Sequence, residues 1–591
     1  MPPEFDQADS DQADLYRAAS DRVSFVCDGA SIDVAVEPGE SLLSVLRERL
    51  GVMSVKDGCA PQGQCGCCTV LVDGSPRVAC VTPVERIAGR SVTTVDGLDP
   101  KQRDALAEAF LATGGSQCGF CTPGIVVRAA ALLARSAVTD ADIDRALAAH
   151  LCRCTGWRTV HEAISLASAP PAVRPSRRDA GARRAALEGG VTQRVAPDVP
   201  LGAGGFADDT APRDALVAVP RPPGSDAATV QAAGIAWVVG ESLHGARAEA
   251  RKIQGRRTTR PALPPLVLPP CPDGGVRLAT SWVEPAYLEP DASWCEPGGQ
   301  PVSPLANGGA FGGKADSVAP AAARELADRL ERTVRIVFSR EDVVRLGPKR
   351  PPIAASAVLH GRTPTIAGLV VGDVLSPTDG ACAYGLGTWV EQWVSTRPPG
   401  PPTSSALRAF PLAERTVLLE GALDAAGVQR SLLVRDGRAA SVLLDVCAVE
   451  PDSGAAAGAR VTVDPATGTV AVLEVRVAAG DPLDEVVLRS YCIGAAHMAL
   501  GWVLTEGLTV DPESGEVLDL TIRSFGVIRA KDTPPIEVTV VDDAGPPLAR
   551  TSDAVFAAVA AATWNAVTRA DGARPEAFPA LETRAARRLR R

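Results

Sequence analysis

The stretch "KDGCAPQGQCGCCTVLVDGSPRVAC", residues 56 to 80, holds Cys59, Cys65, Cys67, Cys68 and Cys80, five of the fifteen cysteines in the chain. A thiolate site for a two-iron cluster needs four. Taking Cys59, Cys65, Cys68 and Cys80, the spacing is C-x5-C-x2-C-x11-C. The plant-type [2Fe–2S] loop is C-x4-C-x2-C…C, so the first gap is one residue longer here. Three thiolates converge from one loop only where the backbone can turn sharply. Gly58, Gly63 and Gly66 allow that and leave N–H groups free to face cluster sulfurs.

A second set follows in "QCGFCTPG" and "HLCRCTGW", giving Cys118, Cys121, Cys152 and Cys154. Cys118 and Cys121 lie just before an expected helix N-terminus, whose dipole favours an anionic cluster. The competing reading of both sets is structural zinc. Zinc sites favour CxxC pairs from two knuckles, whereas one set here is a three-cysteine loop and the other ends in CxC.

Small, regular elements must hold these thiolates in place. Residues 23–51 read as strand, turn, strand and helix, with Ser41 as N-cap. Asp73-Gly74 marks a hairpin that carries Cys80 back beside the loop. Four helices are expected at 101–112, 123–134, 140–149 and 156–167, with Pro123 at a helix start and capping-box spacing from Thr139 to Asp142. Residues 167–190 are rich in Ala, Arg and Pro without an apolar period and read as linker. Beyond them strands, helices and Pro-rich loops alternate, including a helix over 318–332, a strand over 333–338, a hairpin over 459–477 and a helix over 552–569.

The net charge of -10 and pI near 5.3 exclude a nucleic-acid surface. The N-terminus has neither a basic n-region nor an apolar h-region, and no apolar run suggests a membrane span. The expectation is a cytoplasmic chain, where disulfides are rare and clustered cysteines serve metal or redox chemistry.

Both cysteine sets, in this order, resemble the iron–sulfur part of the xanthine dehydrogenase/aldehyde oxidase family of molybdenum hydroxylases. "GQCGCCTVLVDG" is similar to that family's "GxCGxCTVLxDG", and "QCGFCTPG" and "CRCTGW" to its "QCGFCTPG" and "CRCTGY". The likeness covers residues 22 to 168. It implies an α+β multidomain chain: a disordered tail at 1–21, a β-grasp ferredoxin-like [2Fe–2S] domain at 22–99, a four-helix [2Fe–2S]-binding domain at 100–168, a linker at 169–195, and a truncated α/β molybdopterin-binding-like region at 196–591. It implies Cys68 as the ligand before Thr69-Val70, leaving Cys67 spare. It also implies that Gln117 and Cys154 face the pterin of a molybdenum cofactor.

"NGGAFGGKADS" has GxxxxGK spacing from Gly308 to Lys314. A phosphate-binding P-loop would continue with Ser or Thr, and Ala315 stands there. The stretch instead resembles "GGGFGGK" of the family's molybdenum region, which implies cofactor contacts from Gly308, Gly309, Phe311, Gly312 and Gly313. "SALRAFPLAERTVLLEGALD" resembles an Ala-Phe-Arg-Gly-Phe segment and adds Arg408. "PAYLEPDA", "VRIVFSREDVVRLGPKRPP" and "GEVLDLTIRSFGVIRAKDTPPIEVTVVDD" resemble neighbouring segments of the same region.

This region departs from the family where chemistry is done. A large piece is missing between Cys295 and Gly308, a Gly-Gln-Gly loop is not found, and the Arg-Gly-Phe-Gly loop is reduced to Arg408-Ala409-Phe410-Pro411. The family's glutamate base falls in "PPLARTSDAVFAAVAAATWNAV", where Asp553 is the nearest carboxylate and Ser552-Asp553 read as helix-capping residues. Three functions follow as expectations. The first is an electron-transfer subunit with two [2Fe–2S] clusters, working with a molybdenum-binding catalytic chain and an FAD-binding chain, the molybdopterin cofactor being held by the partner. The second is a single-chain molybdenum hydroxylase acting on an aldehyde or N-heterocycle. The third is a non-catalytic scaffold with structural metal.

Overall fold

The structure is a computed structural model of the chain. It describes residues 22–590 apart from 136–137, 169–177, 192, 252, 254–257, 304–309, 311, 374–382, 385, 387–388, 405, 408 and 435. The expected tail at 1–21, the first part of the expected linker, and Gly308, Gly309, Phe311 and Arg408 therefore lie outside the described residues.

Strand β1 (Arg22–Cys27) alternates exposed and buried residues, as a strand with one wet face must. It pairs antiparallel with β2 (Ala30–Ala35) and parallel with β5 (Ser91–Thr93). With β3 (Thr69–Val72) and β4 (Ser75–Val78) the order is β2-β1-β5-β3-β4. Asp73 at φ +48° and Gly74 at φ +74° make the hairpin turn between β3 and β4. Helix α1 (Leu42–Ser44) runs on as a π-helical turn, Val45–Arg49. Its Ser41 cap accepts the Ser44 amide at 3.2 Å.

Four helices follow: α2 (Pro100–Thr113), α3 (Thr122–Leu133), α4 (Asp140–Leu147) and α5 (Arg158–Ala167). Thr139 and Asp142 form the capping box at α4. Cys121 is the N-cap of α3, and Cys152 and Cys154 lie in the turn between α4 and α5.

Residues 178–189, expected as linker, form a helix, α6 (Arg178–Gly189). Its buried face is Gly181, Arg184, Ala185 and Glu188, at helical spacing. That face is made of small residues and an ion pair rather than large apolar side chains. An apolar-periodicity reading has nothing to detect there.

The remaining chain builds three more sheets. One holds β6 (Leu216–Pro220), β7 (Val230–Ala232), β8 (Ile235–Gly240), β10 (Ala292–Cys295) and β11 (Val334–Val337), in the order β10-β11-β6-β8-β7. Another holds β9 (Val276–Thr280), β12 (Ile353–His360), β13 (Thr363–Val371), β14 (Val390–Thr396) and β19 (Ala577–Phe578), in the order β14-β13-β12-β9-β19. The third, β15-β16-β17-β18, contains β15 (Val446–Val449), β16 (Ala456–Val463), β17 (Val470–Ala478) and β18 (Glu537–Val540). Helices α7 (Ala319–Leu330) and α8 (Arg340–Leu346) flank β11, and α9 (Ala409–Ala425), α10 (Glu485–Leu504) and α11 (Thr551–Asp571) pack together.

Helix α10 corrects one expectation, since it is long and apolar enough to cross a membrane. In the fold it is a core helix, with Cys492, Ile493, Leu500 and Val503 fully buried among α9, α11 and β17 residues.

Candidate functional site

The two cysteine sets lie side by side. Cys59, Cys65, Cys67, Cys121, Cys152 and Cys154 share one buried cluster. In the first loop the sulfurs meet in the order Cys67, Cys65, Cys59, Cys80, Cys68. The amides of Gln64 and Cys65 both donate to Cys59 Sγ at 3.3 Å, and the Cys80 amide donates to Cys68 Sγ at 3.4 Å. Hydrogen bonds from Cys65 and Cys80 hold the Cys59 thiol well below its ordinary range. In the second set the order is Cys121, Cys152, Cys154, Cys118, with Cys118 and Cys154 sulfurs 3.5 Å apart. Cys152 is likewise held well down by hydrogen bonds from Cys121 and Cys154, and Thr155 Oγ1 lies 3.1 Å from its sulfur.

All described cysteines are free thiols. Buried sulfurs that touch in chains, with backbone N–H groups aimed at them, are the donor set a [2Fe–2S] cluster takes. Among the described residues no three His, Cys, Asp or Glu side chains surround one point as ligands of a single ion would.

Backbone packing joins the two sets. The Leu151 amide donates to the Cys65 carbonyl at 2.9 Å, one residue before Cys152. Gly66, at φ +74°, lies so close to His150 that a Cβ there would sit 2.5 Å from its ring. Gly124, in the first turn of α3, faces the Gly66 carbonyl, 2.3 Å from where its own Cβ would be. A side chain at either glycine would push the two loops apart.

The two residues implied to face a pterin, Gln117 and Cys154, are joined to each other and to α10. Gln117 Nε2 donates to the Cys154 carbonyl and to Ser490 Oγ on α10, both at 3.0 Å. Ser490 Oγ donates in turn to the Gly114 carbonyl at 2.7 Å. Gly494 presses on the same Cys154 carbonyl, since a Cβ there would be 1.8 Å from the oxygen. Ala185 of α6 and Gln193 line the space beside Gln117, and the Tyr491 hydroxyl donates to Gln193 Oε1. A small cavity of about 20 Å³ beside Gln117, lined also by Ala185, Gln193 and Ser490, has room for one water.

The glycine loop meets the segment it was paired with by resemblance. Gly312, at φ +90°, faces the Ala406 carbonyl, and Gly313 faces Leu407. Lys314 Nζ is bonded to Glu289 Oε2 at 2.5 Å and lies over the Tyr287 ring, so it is committed to the "YLEP" segment rather than to a phosphate. Burial pushes Glu289 up to about 7 despite that partner. Asp316, Ser404, Leu407 and Phe410 line a cavity of about 630 Å³ together with Arg350 and Glu414. Arg350 pairs with Glu414 and stacks 3.8 Å from the Phe410 ring centroid. Sequence reasoning missed this pair. Its signal was Arg350 inside "GPKRPP", hidden because its partner is far along the chain.

Asp553 does not line that cavity. It is buried in the first turn of α11, and the capping role expected of Ser552 and Asp553 is not the one observed. The N-cap is Arg550, at φ +58° and without a side-chain cap bond, and the Ser552 amide is taken by Glu188 of α6 at 2.8 Å. Sequence reasoning also missed Arg153, between Cys152 and Cys154. Its guanidinium forms a buried two-pronged pair with Glu506 at 2.6 and 2.7 Å, tying the CxC turn to the end of α10.

This architecture, a small five-stranded sheet and a four-helix unit each presenting four thiols beside a larger α/β region, defines a class of iron–sulfur oxidoreductase. A [2Fe-2S] binding domain model matches residues 94–165, and a Molybdopterin cofactor-binding domain model matches 450–534. The chain is 38% identical over 141 residues to the nicotinate dehydrogenase small FeS subunit of Eubacterium barkeri, covering 24% of this chain and 89% of that one. It is 36% identical over 147 residues to the xanthine dehydrogenase iron-sulfur-binding subunit of Escherichia coli, covering 24% and 91%. Its fold is similar to that of the aldehyde oxidoreductase of Desulfovibrio gigas, at TM-score 0.72 and 15% identity, covering 96% of this chain and 100% of that one. The chain belongs to the molybdenum hydroxylase (xanthine dehydrogenase/aldehyde oxidase) family, and its cofactors are those of that family, [2Fe–2S] clusters and the molybdopterin class.

Proposed function

We propose that this chain is the iron–sulfur electron relay of a cytoplasmic molybdenum hydroxylase, with Cys59, Cys65, Cys68 and Cys80 holding one [2Fe–2S] cluster and Cys118, Cys121, Cys152 and Cys154 the other. Bound clusters supply one-electron transfer. The protein's own part is to bury the thiolates, to aim the Gln64, Cys65 and Cys80 amides at sulfur, and to link the sets through Leu151 N–H and Cys65 C=O. Buried amides aimed at sulfur raise a cluster's potential, and exclusion of water keeps the electron on the relay.

The observation that carries this reading is the contrast between the two halves. The cysteine sets are complete and adjacent, while Gln117 and Cys154 are bonded to each other and packed against Ser490 and Gly494 of α10. A separate molybdenum-binding chain and an FAD-binding chain are then the expected partners. Relatives named as a small FeS subunit and as an iron-sulfur-binding subunit fit that arrangement. The test is metal content with EPR of the dithionite-reduced protein. About four irons, two EPR-active clusters and no molybdenum are expected per chain. Stoichiometric molybdenum in the isolated chain sinks the proposal.

A second reading, a single-chain hydroxylase of an aldehyde or N-heterocycle, is favoured by the match at 450–534 and by the full-length likeness to an aldehyde oxidoreductase fold. It requires Asp553 or another carboxylate to act as base. Dye reduction with aldehydes or purines, abolished by Asp553→Asn, selects that reading over the first.

A further inference from the structure

A second chemistry sits next to the relay. A cavity of about 720 Å³ opens between residues 258–262, 505–509, 519–529 and 579–590. It is lined by Arg260, Arg523, Arg529 and Arg590, against a single lining carboxylate, Asp519. Asp519 is itself occupied, since its Oδ1 accepts the Thr258 amide at 2.6 Å. Arg529 has Asp532 at 2.6 Å, and Arg260 has Asp511 at 3.8 Å, both outside the lining. Arg523 donates to two carbonyls, of Gln64 at 3.1 Å and Ala148 at 2.9 Å, and these leave its charge in place. Burial, and then the like charge of Arg529, hold Arg523 below its ordinary range.

The lining is not uniformly polar. Leu151, Ile528 and Pro579, each mostly covered, and the more open Leu581 form its apolar side. Arginine forks suit phosphate oxygens, and apolar walls suit a planar ring. A space this large exceeds what inorganic phosphate needs and lies in the range of small-ligand clefts. The chain's net charge of -10 makes a local excess of arginine a feature of this cavity rather than of the surface at large.

We propose that this cavity binds a phosphate-bearing mononucleotide, with the arginines on the phosphate and the ring against Leu151 and its apolar neighbours. Leu151 is also the residue whose amide joins the two cysteine sets, so the occupant lies against the relay. The binding does not depend on the relay reading, because it uses none of the thiols.

The experiment uses the purified full chain with its native clusters and three probes: flavin mononucleotide by fluorescence quenching, AMP and inorganic phosphate by calorimetry. One nucleotide per chain is expected, with the two nucleotides competing. Arg260→Gln and Arg590→Gln, both at exposed positions, should each weaken binding about tenfold, the loss of one charged hydrogen bond. Arg397→Gln, exposed at another cavity, should leave it unchanged. Inorganic phosphate binding as tightly as AMP overturns the proposal, as does absence of saturable nucleotide binding or unchanged affinity in both arginine variants. EPR of the same samples reports on the clusters separately, so failure of the nucleotide site and failure of the relay are told apart.

Discussion

The carboxylate of Glu188 accepts the backbone N–H of Ser552 at 2.8 Å, so α6 caps the N-terminus of α11 from 364 residues away in sequence. The same carboxylate pairs with Arg184, whose guanidinium also donates to the Leu548 carbonyl. Both side chains are fully buried. Glu188→Ala leaves Arg184 buried without its partner, which costs about 3–5 kcal/mol. Amide exchange in the first turn of α11 should speed up and the thermal midpoint should drop. The double change Arg184→Met with Glu188→Met should recover most of the loss. Unchanged exchange in Glu188→Ala would show that α6 does not cap α11 in solution.

Gly494 is where α10 touches the second cysteine set. A Cβ there would lie 1.8 Å from the Cys154 carbonyl oxygen, and backbone atoms have no room to give. Gly494→Ala should therefore displace the CxC turn and remove one of the two EPR signals, while the neighbouring Ala495→Gly, on another face of the helix, keeps both. An intact pair of signals in Gly494→Ala would contradict the packing of α10 on Cys154.

Cys67 is the thiol of the first loop that we expect no cluster to use, and its sulfur is hydrogen-bonded to Cys65. Gly58 sits between it and Cys65, and a Cβ at Gly58 would lie 3.1 Å from Cys65 Sγ and 3.2 Å from Cys67 Sγ. Cys67→Ala should retain about four irons per chain and Cys65→Ala about two. Loss of iron in Cys67→Ala would exchange the roles of Cys67 and a neighbour.

His497 links stability to pH. It is buried in α10 with Nε2 3.2 Å from the Ile528 carbonyl, and burial pushes its pKa down from 6.5 to about 4. The unfolded chain binds the proton more readily, so this contribution is fully present above pH 6.5 and is lost as pH falls toward 4. Each pH unit in that window costs up to about 1.4 kcal/mol. His497→Gln should flatten the fall of the urea midpoint between those limits. An equal slope in both proteins would mean that His497 is not buried neutral.

The cysteine spacing, the Asp73-Gly74 turn, the Ser41 cap and the Thr139–Asp142 capping box are all written locally, within a few residues, and the fold has each of them where local chemistry demands. Helix α10 was not read from the sequence as a long apolar helix, and its burial depends on what covers it. Helix α6 was not legible at all. Its buried face is Gly, Ala and an Arg–Glu pair, and the groove that accepts it is made by residues about 300 and more positions later. The pairs Arg350–Glu414 and Arg153–Glu506 belong to the same kind, long-range ion pairs whose partners only tertiary packing selects.

By itself, then, the sequence determined the chemistry that can be assembled from short segments: two sets of four thiols on glycine-rich loops and helix ends. Only the tertiary structure decided what surrounds them. It set the two loops against each other through Leu151 and Cys65, and it laid α10 against Gln117 and Cys154. The reason is physical. Thiolate spacing and turn chemistry act over a few bonds, whereas an open or filled crevice depends on which distant surfaces bury each other best.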